Sequence, residues 1–166
     1  ISIDTLNKWN KKLPLTVDTN NFQINYGNLE PTFIDLFSNY LINIAGETNW
    51  SHNLFYSEKT YKPIGTMMPF LVYGNVGMNK DLKERHGFKL FENLFDYSWE
   101  DECNDIKRIE KLIAECDTLA ERLDKYSYKD KVDIIMLQNK DIIIHNYETL
   151  LKATRLTRQQ LITINL

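Results

Sequence analysis

The residues best suited to chemistry lie between two apolar runs, Tyr40-Leu41-Ile42-Asn43-Ile44-Ala45 and Pro69-Phe70-Leu71-Val72-Tyr73. Glu47 follows the first run, and the string Ser57-Glu58-Lys59-Thr60-Tyr61-Lys62-Pro63 precedes the second. Two carboxylates can accept hydrogen bonds from the hydroxyls of a ribose, and two ammonium groups can neutralise a diphosphate. This set therefore reads as a pocket for a phosphorylated ligand, with Glu47, Ser57, Glu58, Lys59 and Lys62 as candidate binding residues. Ser57 is an N-cap type, which predicts backbone N–H groups aimed at the same space as an anion cradle. Pro63 removes an amide and disfavours helix at Lys62, so the first turn is expected to be loop or kinked and the regular helix to start at Pro63. The competing structural reading makes Glu58 and Lys62 a surface i,i+4 ion pair, and Glu47 a cap or a partner for a nearby lysine. Gly74-Asn75-Val76-Gly77 ends the second run; it reads as a tight turn that also lets backbone approach a ligand. Trp50, Phe55, Tyr56 and Tyr61 are the aromatics available to stack on a base, with Phe55 or Tyr56 equally suited to a core.

The elements that must position these residues alternate. Leu13 to Asp18 reads as a short strand, residues 19 to 30 as loop, and Pro31 opens a helix through Phe33, Ile34, Leu36 and Phe37. Strands follow near 41 to 45 and 69 to 73, then a helix from Met78 to His86 closed by Gly87. Strands alternating with helices imply an α/β fold with a parallel sheet covered by helices. From Glu102 the pattern is purely helical: Ile106, Ile109, Leu112, Ile113, Cys116, Leu119, Ala120 and Leu123 form one stripe. Ser127 and Asp130 form a capping box, and Val132, Ile135, Met136, Ile143, Tyr147, Leu150 and Leu151 form a second stripe. Residues 102 to about 152 are thus expected to be a helical hairpin covering one sheet face. Lys152, Arg155 and Arg158 in the tail read as a solvated helix end.

With 166 residues, 43% hydrophobic and 26% charged, the chain has enough apolar material for one core and one domain. Twenty basic against 23 acidic residues give a formal charge of -3, so no global positive field draws it to nucleic acid or to an anionic membrane. Cys103 and Cys116 suit neither a zinc site nor a disulfide scaffold, which points to a reducing cytosol. No apolar run approaches about 18 residues, so no membrane partner is expected. The start, Ile1-Ser2-Ile3-Asp4, has no signal-type pattern and no initiator methionine, as expected of a cytoplasmic fragment. No Asp-x-Asp pair occurs, so no metal-bridging motif for a sugar nucleotide is present, and no Gly-x-Ser-x-Gly elbow, phosphate loop or His-Glu-x-x-His is found. His52, His86 and His145 are far apart and read as surface or core residues.

Glu47-Thr48, Ser57 to Ile64, Pro69 to Gly74 and Gly87-Phe88-Lys89-Leu90-Phe91 resemble, in order and spacing, glycosyltransferase-like proteins of large bacteriophages and other large DNA viruses. The Ser57-Glu58-Lys59 stretch is similar to the Thr-Glu-Lys motif in the donor half of fucosyltransferases. The resemblance spans about residues 13 to 150. It implies a single nucleotide-sugar-binding Rossmann-like domain over 1–166, in which Glu58 binds the ribose and Lys59 the diphosphate. The nucleotide sugar is then a substrate, with no cofactor. Phe55 stands where the family often has Tyr. The family's first half, which holds acceptor and base, is unmatched, so the resemblance implies an amino-terminal acceptor domain or a partner chain and leaves the catalytic base unassigned. The alternative is a non-enzymatic viral structural or regulatory module that keeps the fold.

Overall fold

The computed structural model describes residues 40–47 and 54–164, with side chains described as far as residue 154. The expected strand at 13–18, the loop at 19–30, the helix after Pro31, the tail residues Arg155 and Arg158, and Trp50 and His52 lie outside the described side chains.

Two short strands set the frame. β1 (Asn43–Gly46) and β2 (Phe70–Tyr73) pair in parallel, with Asn43 opposite Phe70 and Gly46 opposite Tyr73. Bonds from Asn43 N to the Pro69 carbonyl and from Glu47 N to the Tyr73 carbonyl, each 2.9 Å, extend the ladder at both ends. Parallel strands require a crossover, and α1 (Glu58–Gly65) supplies it. The first three residues of β2 are fully buried, as suits a parallel strand covered on both faces, whereas β1 leaves Ile44 half exposed. Because β2 turns its odd residues toward β1, Val72 presents its N–H and carbonyl outward. The amide of Asn79 fills that edge: Oδ1 accepts from Val72 N at 3.1 Å and Nδ2 donates to the Val72 carbonyl at 2.7 Å. A side chain thus takes the place of a neighbouring strand.

α2 (Met78–Glu84) begins at Gly77, whose φ of 81° is left-handed and suits glycine. It ends two residues earlier than the spacing predicts, and Gly87, at φ 74°, lets Phe88 N turn back to the Leu82 carbonyl. A 3-10 turn (Tyr97–Asp101) leads into α3 (Asp105–Asp124), followed by the three-residue connection 125–127, α4 (Tyr128–Val132), a π-helical turn (Asp133–Leu137) and α5 (Lys140–Ile164). The fold is mixed α/β, with a two-stranded parallel sheet among the described residues and a helical carboxyl-terminal region.

Ser57 is the N-cap and the helix starts at Glu58, so Pro63 lies inside α1 rather than opening it. The proline removes only the N–H that would reach the Lys59 carbonyl, and the capped first turn holds without it. On α3 the buried line is Arg108, Leu112, Leu119 and Leu123, while Ile106 is 70% exposed and Ile109, Ile113 and Ala120 are exposed as well. The helix is rotated from the face its isoleucines suggest, because a buried arginine occupies the inward position. At the next cap, Ser127 Oγ accepts from Asp130 N and donates to Asp130 Oδ2 at 2.6 Å, so serine and aspartate bond to each other instead of reciprocating through two backbone amides. One core joins the layers: Ala45, Leu71 and Val72 of the sheet pack with Ile64, Met78, Leu82, Leu112, Leu119, Leu123, Ile135 and Ile143. Asn146 ties α5 to the segment after α2 by accepting from Lys89 N and donating to the Lys89 carbonyl.

Candidate functional site

The sequence-predicted residues converge on the first turn of α1, beside the carboxyl end of β1. Glu47, the first residue past β1, is 3% exposed. Its Oε1 accepts from Ser57 N at 2.9 Å and from the Thr60 hydroxyl at 2.5 Å, and its Oε2 accepts from the Ser57 hydroxyl at 2.6 Å. Burial alone would raise its pKa; the bonds from Ser57 and Thr60, helped by the positive charge of Lys59, outweigh burial and hold the carboxyl below its ordinary range. Glu47 is therefore an ionised pin that fastens α1 to the end of the sheet.

Ser57 serves two partners. Its hydroxyl donates to Glu47 and accepts from Lys59 N at 3.2 Å, while Thr60 N reaches the Ser57 carbonyl. The N–H groups expected to form an anion cradle are thus largely engaged: Ser57 N by Glu47, Lys59 N by Ser57 Oγ, and Thr60 N by Ser57 O.

The remaining candidates divide around the helix. Lys59, whose backbone N–H bonds to the Ser57 hydroxyl that Glu47 holds, is not among the residues that line the cleft between α1 and α5, and its positive charge helps to hold Glu47 ionised. Glu58 and Lys62, one turn apart, face a cleft of about 400 Å³ between α1 and α5. Tyr61, Gly65, His86, Phe88 and Leu150 form most of its apolar wall, and Thr149, Ala153 and Thr154 form its α5 rim. Tyr61 is half buried, and burial, then the charges of Glu47 and Asp81, raise its phenol pKa. His86 stands edge-on to Tyr56 with ring centroids 5.2 Å apart, and its Nε2 is 3.4 Å from Asp81 Oδ2. The Tyr56 hydroxyl lies 2.7 Å from the same Asp81 oxygen and 2.9 Å from the Met78 carbonyl. Burial first, and Asp81 second, push its pKa up, so the phenol stays protonated as a donor. Tyr56 is thereby committed to the scaffold, whereas Phe55 is 46% exposed.

At the end of β2, a Cβ on Gly74 would lie 2.2 Å from Met78 Sδ and 3.4 Å from Glu47 Cβ. Close packing explains this glycine. Arg108, 1% exposed, fixes the same residue: its guanidinium donates to the Gly74 carbonyl at 3.0 Å, the Glu102 carbonyl at 2.9 Å and Asp105 Oδ1 at 2.7 Å, over the Tyr73 ring at 5.6 Å. Glu100, also buried, accepts from Asn79 N, Asn79 Nδ2 and Lys80 N at the start of α2, yet burial dominates and raises its pKa.

Thr60, Asn79, Glu100 and Arg108 escape the sequence reading. Only Thr60 leaves a local signal, as a second hydroxyl three positions after Ser57 on the first helical turn. Asn79 and Glu100 meet partners 7 to 21 residues away, and Arg108 reaches a carbonyl 34 residues away.

Among the described residues, no group of three or more His, Cys, Asp or Glu side chains is placed to hold a metal ion, and no helix is long and apolar enough to cross a membrane. Comparison with protein-family models, with curated proteins and with solved structures finds no match.

Proposed function

We propose that this chain binds a nucleotide sugar, as the donor half of a glycosyltransferase that works without a metal. The observation that carries the reading is the placement of Glu58 and Lys59 on the first turn of α1, at the carboxyl end of a parallel strand and beside a cleft. Open parallel sheets usually bind ligands at that end. The β1–α1–β2 crossover is the unit from which a Rossmann-like sheet is built, and we read the domain as Rossmann-like on that basis.

In this reading Glu58 accepts the ribose hydroxyls. Lys59, with Lys62, stabilises the charge that develops on the leaving diphosphate, the moment at which such electrostatic help lowers the barrier. Glu47 does not touch the ligand; it holds the turn that presents both residues. Transfer also needs an acceptor oxygen held beside a base, which the resembling enzymes supply from their other half. The chain alone is then a donor-binding domain that acts in the cytoplasm of an infected cell and turns over only with an acceptor domain.

Binding measurements on single variants test the assignment. Lys59→Ala should cost roughly 1.5 to 3 kcal/mol of nucleoside diphosphate affinity, the scale of a hydrogen bond to a charged group. Glu58→Ala should weaken nucleotides more than inorganic pyrophosphate. Equal affinities in parent and both variants would place the ligand elsewhere. Because lysines supply the positive charge, addition of a chelator should leave the affinity within about twofold; a strict need for magnesium or manganese would overturn the role of Lys59.

A further inference from the structure

The cleft between α1 and α5 extends the donor site in one direction, and its chemistry differs from that of the phosphate side. Glu58 is the first residue of α1 and also lines the cleft; Lys59, next in sequence, does not line it, and its backbone N–H bonds to the Ser57 hydroxyl held by Glu47. A ribose held by Glu58 therefore has on one side a mostly apolar, ring-lined cleft that also carries Lys62, and on the other Lys59, which does not line it. A nucleotide has the same three-part layout, with an apolar planar base, a polar sugar and an anionic diphosphate. Pockets of this volume, mostly apolar with a few polar groups, suit a planar heterocycle. Tyr61 and His86 offer ring surface for stacking beside the buried Phe88. The hydroxyls on the α5 rim already donate to their own helix, Thr149 to the His145 carbonyl and Thr154 to the Leu151 carbonyl, so what they retain for a further partner is acceptor capacity.

We propose that this cleft is the base subsite: the nucleobase enters between Tyr61 and Leu150 while the diphosphate lies toward Lys59. The inference rests on the donor reading and adds to it which side of α1 the base occupies. It also gives the otherwise surface-exposed rim residue Ala153 a place in recognition, since a large side chain there would fill the space the base needs.

Isothermal titration of the full chain with ADP, GDP, CDP and UDP, and separately with inorganic pyrophosphate, tests this. The parent should bind at least one nucleoside diphosphate tenfold or more tightly than pyrophosphate. Ala153→Trp, and independently Thr154→Phe, should abolish that preference while leaving pyrophosphate affinity within about twofold, a readout that also shows the variants are folded. Phe55→Ala, on the exposed aromatic outside the cleft, should preserve it. A preference that survives both cleft-filling changes, or that Phe55→Ala removes instead, would overturn the cleft as base subsite while leaving the donor reading intact. Failure of the parent to bind any of the five compounds would remove both.

Discussion

Replacement of Arg108 by methionine is expected to destabilise the fold by about 4 kcal/mol in urea or thermal unfolding, the largest single-residue loss foreseen here. Methionine keeps an unbranched apolar stem but removes the guanidinium from over the Tyr73 ring and leaves the Gly74 and Glu102 carbonyls without the donor that now serves them. An unpaired buried carbonyl costs roughly 1 to 3 kcal/mol, and two are exposed to that penalty together. Arg108→Lys should recover only part of the loss, because an ammonium group cannot reproduce the planar fork that reaches both carbonyls and Asp105. A loss below about 1 kcal/mol for the methionine variant would mean that Arg108 packs without organising the end of β2.

The second large effect is expected at Glu47. Glu47→Ala should cost about 3 kcal/mol, since it orphans the buried Thr60 hydroxyl and the partly buried hydroxyl and N–H of Ser57 in one step. Glu47→Gln, which keeps one acceptor oxygen, should lose less. The pH dependence separates this residue from a neutral anchor. The folded pKa of Glu47 lies below its ordinary value, so its contribution is fully present above the unfolded carboxyl pKa of about 4.3 and disappears as the pH falls through the lower folded value. Glu100 has the opposite sign. Its folded pKa is raised by burial, so its contribution is present below about pH 4.3 and is lost as the pH rises through the folded value. Unfolding free energies measured between about pH 3 and 7 should therefore fall less on acidification in Glu47→Gln than in the parent, and more in Glu100→Gln. Parallel curves for all three proteins would show that neither carboxyl is in the protonation environment described.

What could be read from the chain is what depends on near neighbours. The strand at 70–73 is legible as a continuous apolar run ended by glycine, and Ser57 as a cap because its hydroxyl bonds two residues ahead. Gly87 marks the exit from α2 because a left-handed turn needs no distant partner. The orientation of α3 was hidden for the opposite reason: its isoleucines trace an apolar face, yet Arg108 is drawn inward by carbonyls six and 34 positions away. Periodicity counts a charged residue as outward and cannot register that pull. The same holds for Asn79, whose amide completes the edge of β2, and for Glu100, which caps α2 from 20 residues downstream. At the site itself, the sequence placed Glu47, Ser57, Glu58, Lys59 and Lys62 around one helical turn. It could not divide them into those that build the turn and those that face outward, because the division depends on which carboxylate is buried.

The central claim, that this domain receives a nucleotide sugar, is tested most directly by a thermal-shift screen of the full chain against the common sugar nucleotides with a chelator present. A ligand that binds only the folded state at one hundred times its dissociation constant stabilises it by about 2.7 kcal/mol, which for a domain of this size raises the melting temperature by several degrees. Such a rise is expected for at least one sugar nucleotide and should be smaller in Lys59→Ala. A flat response to every sugar nucleotide, or a rise of equal size in Lys59→Ala, would contradict it.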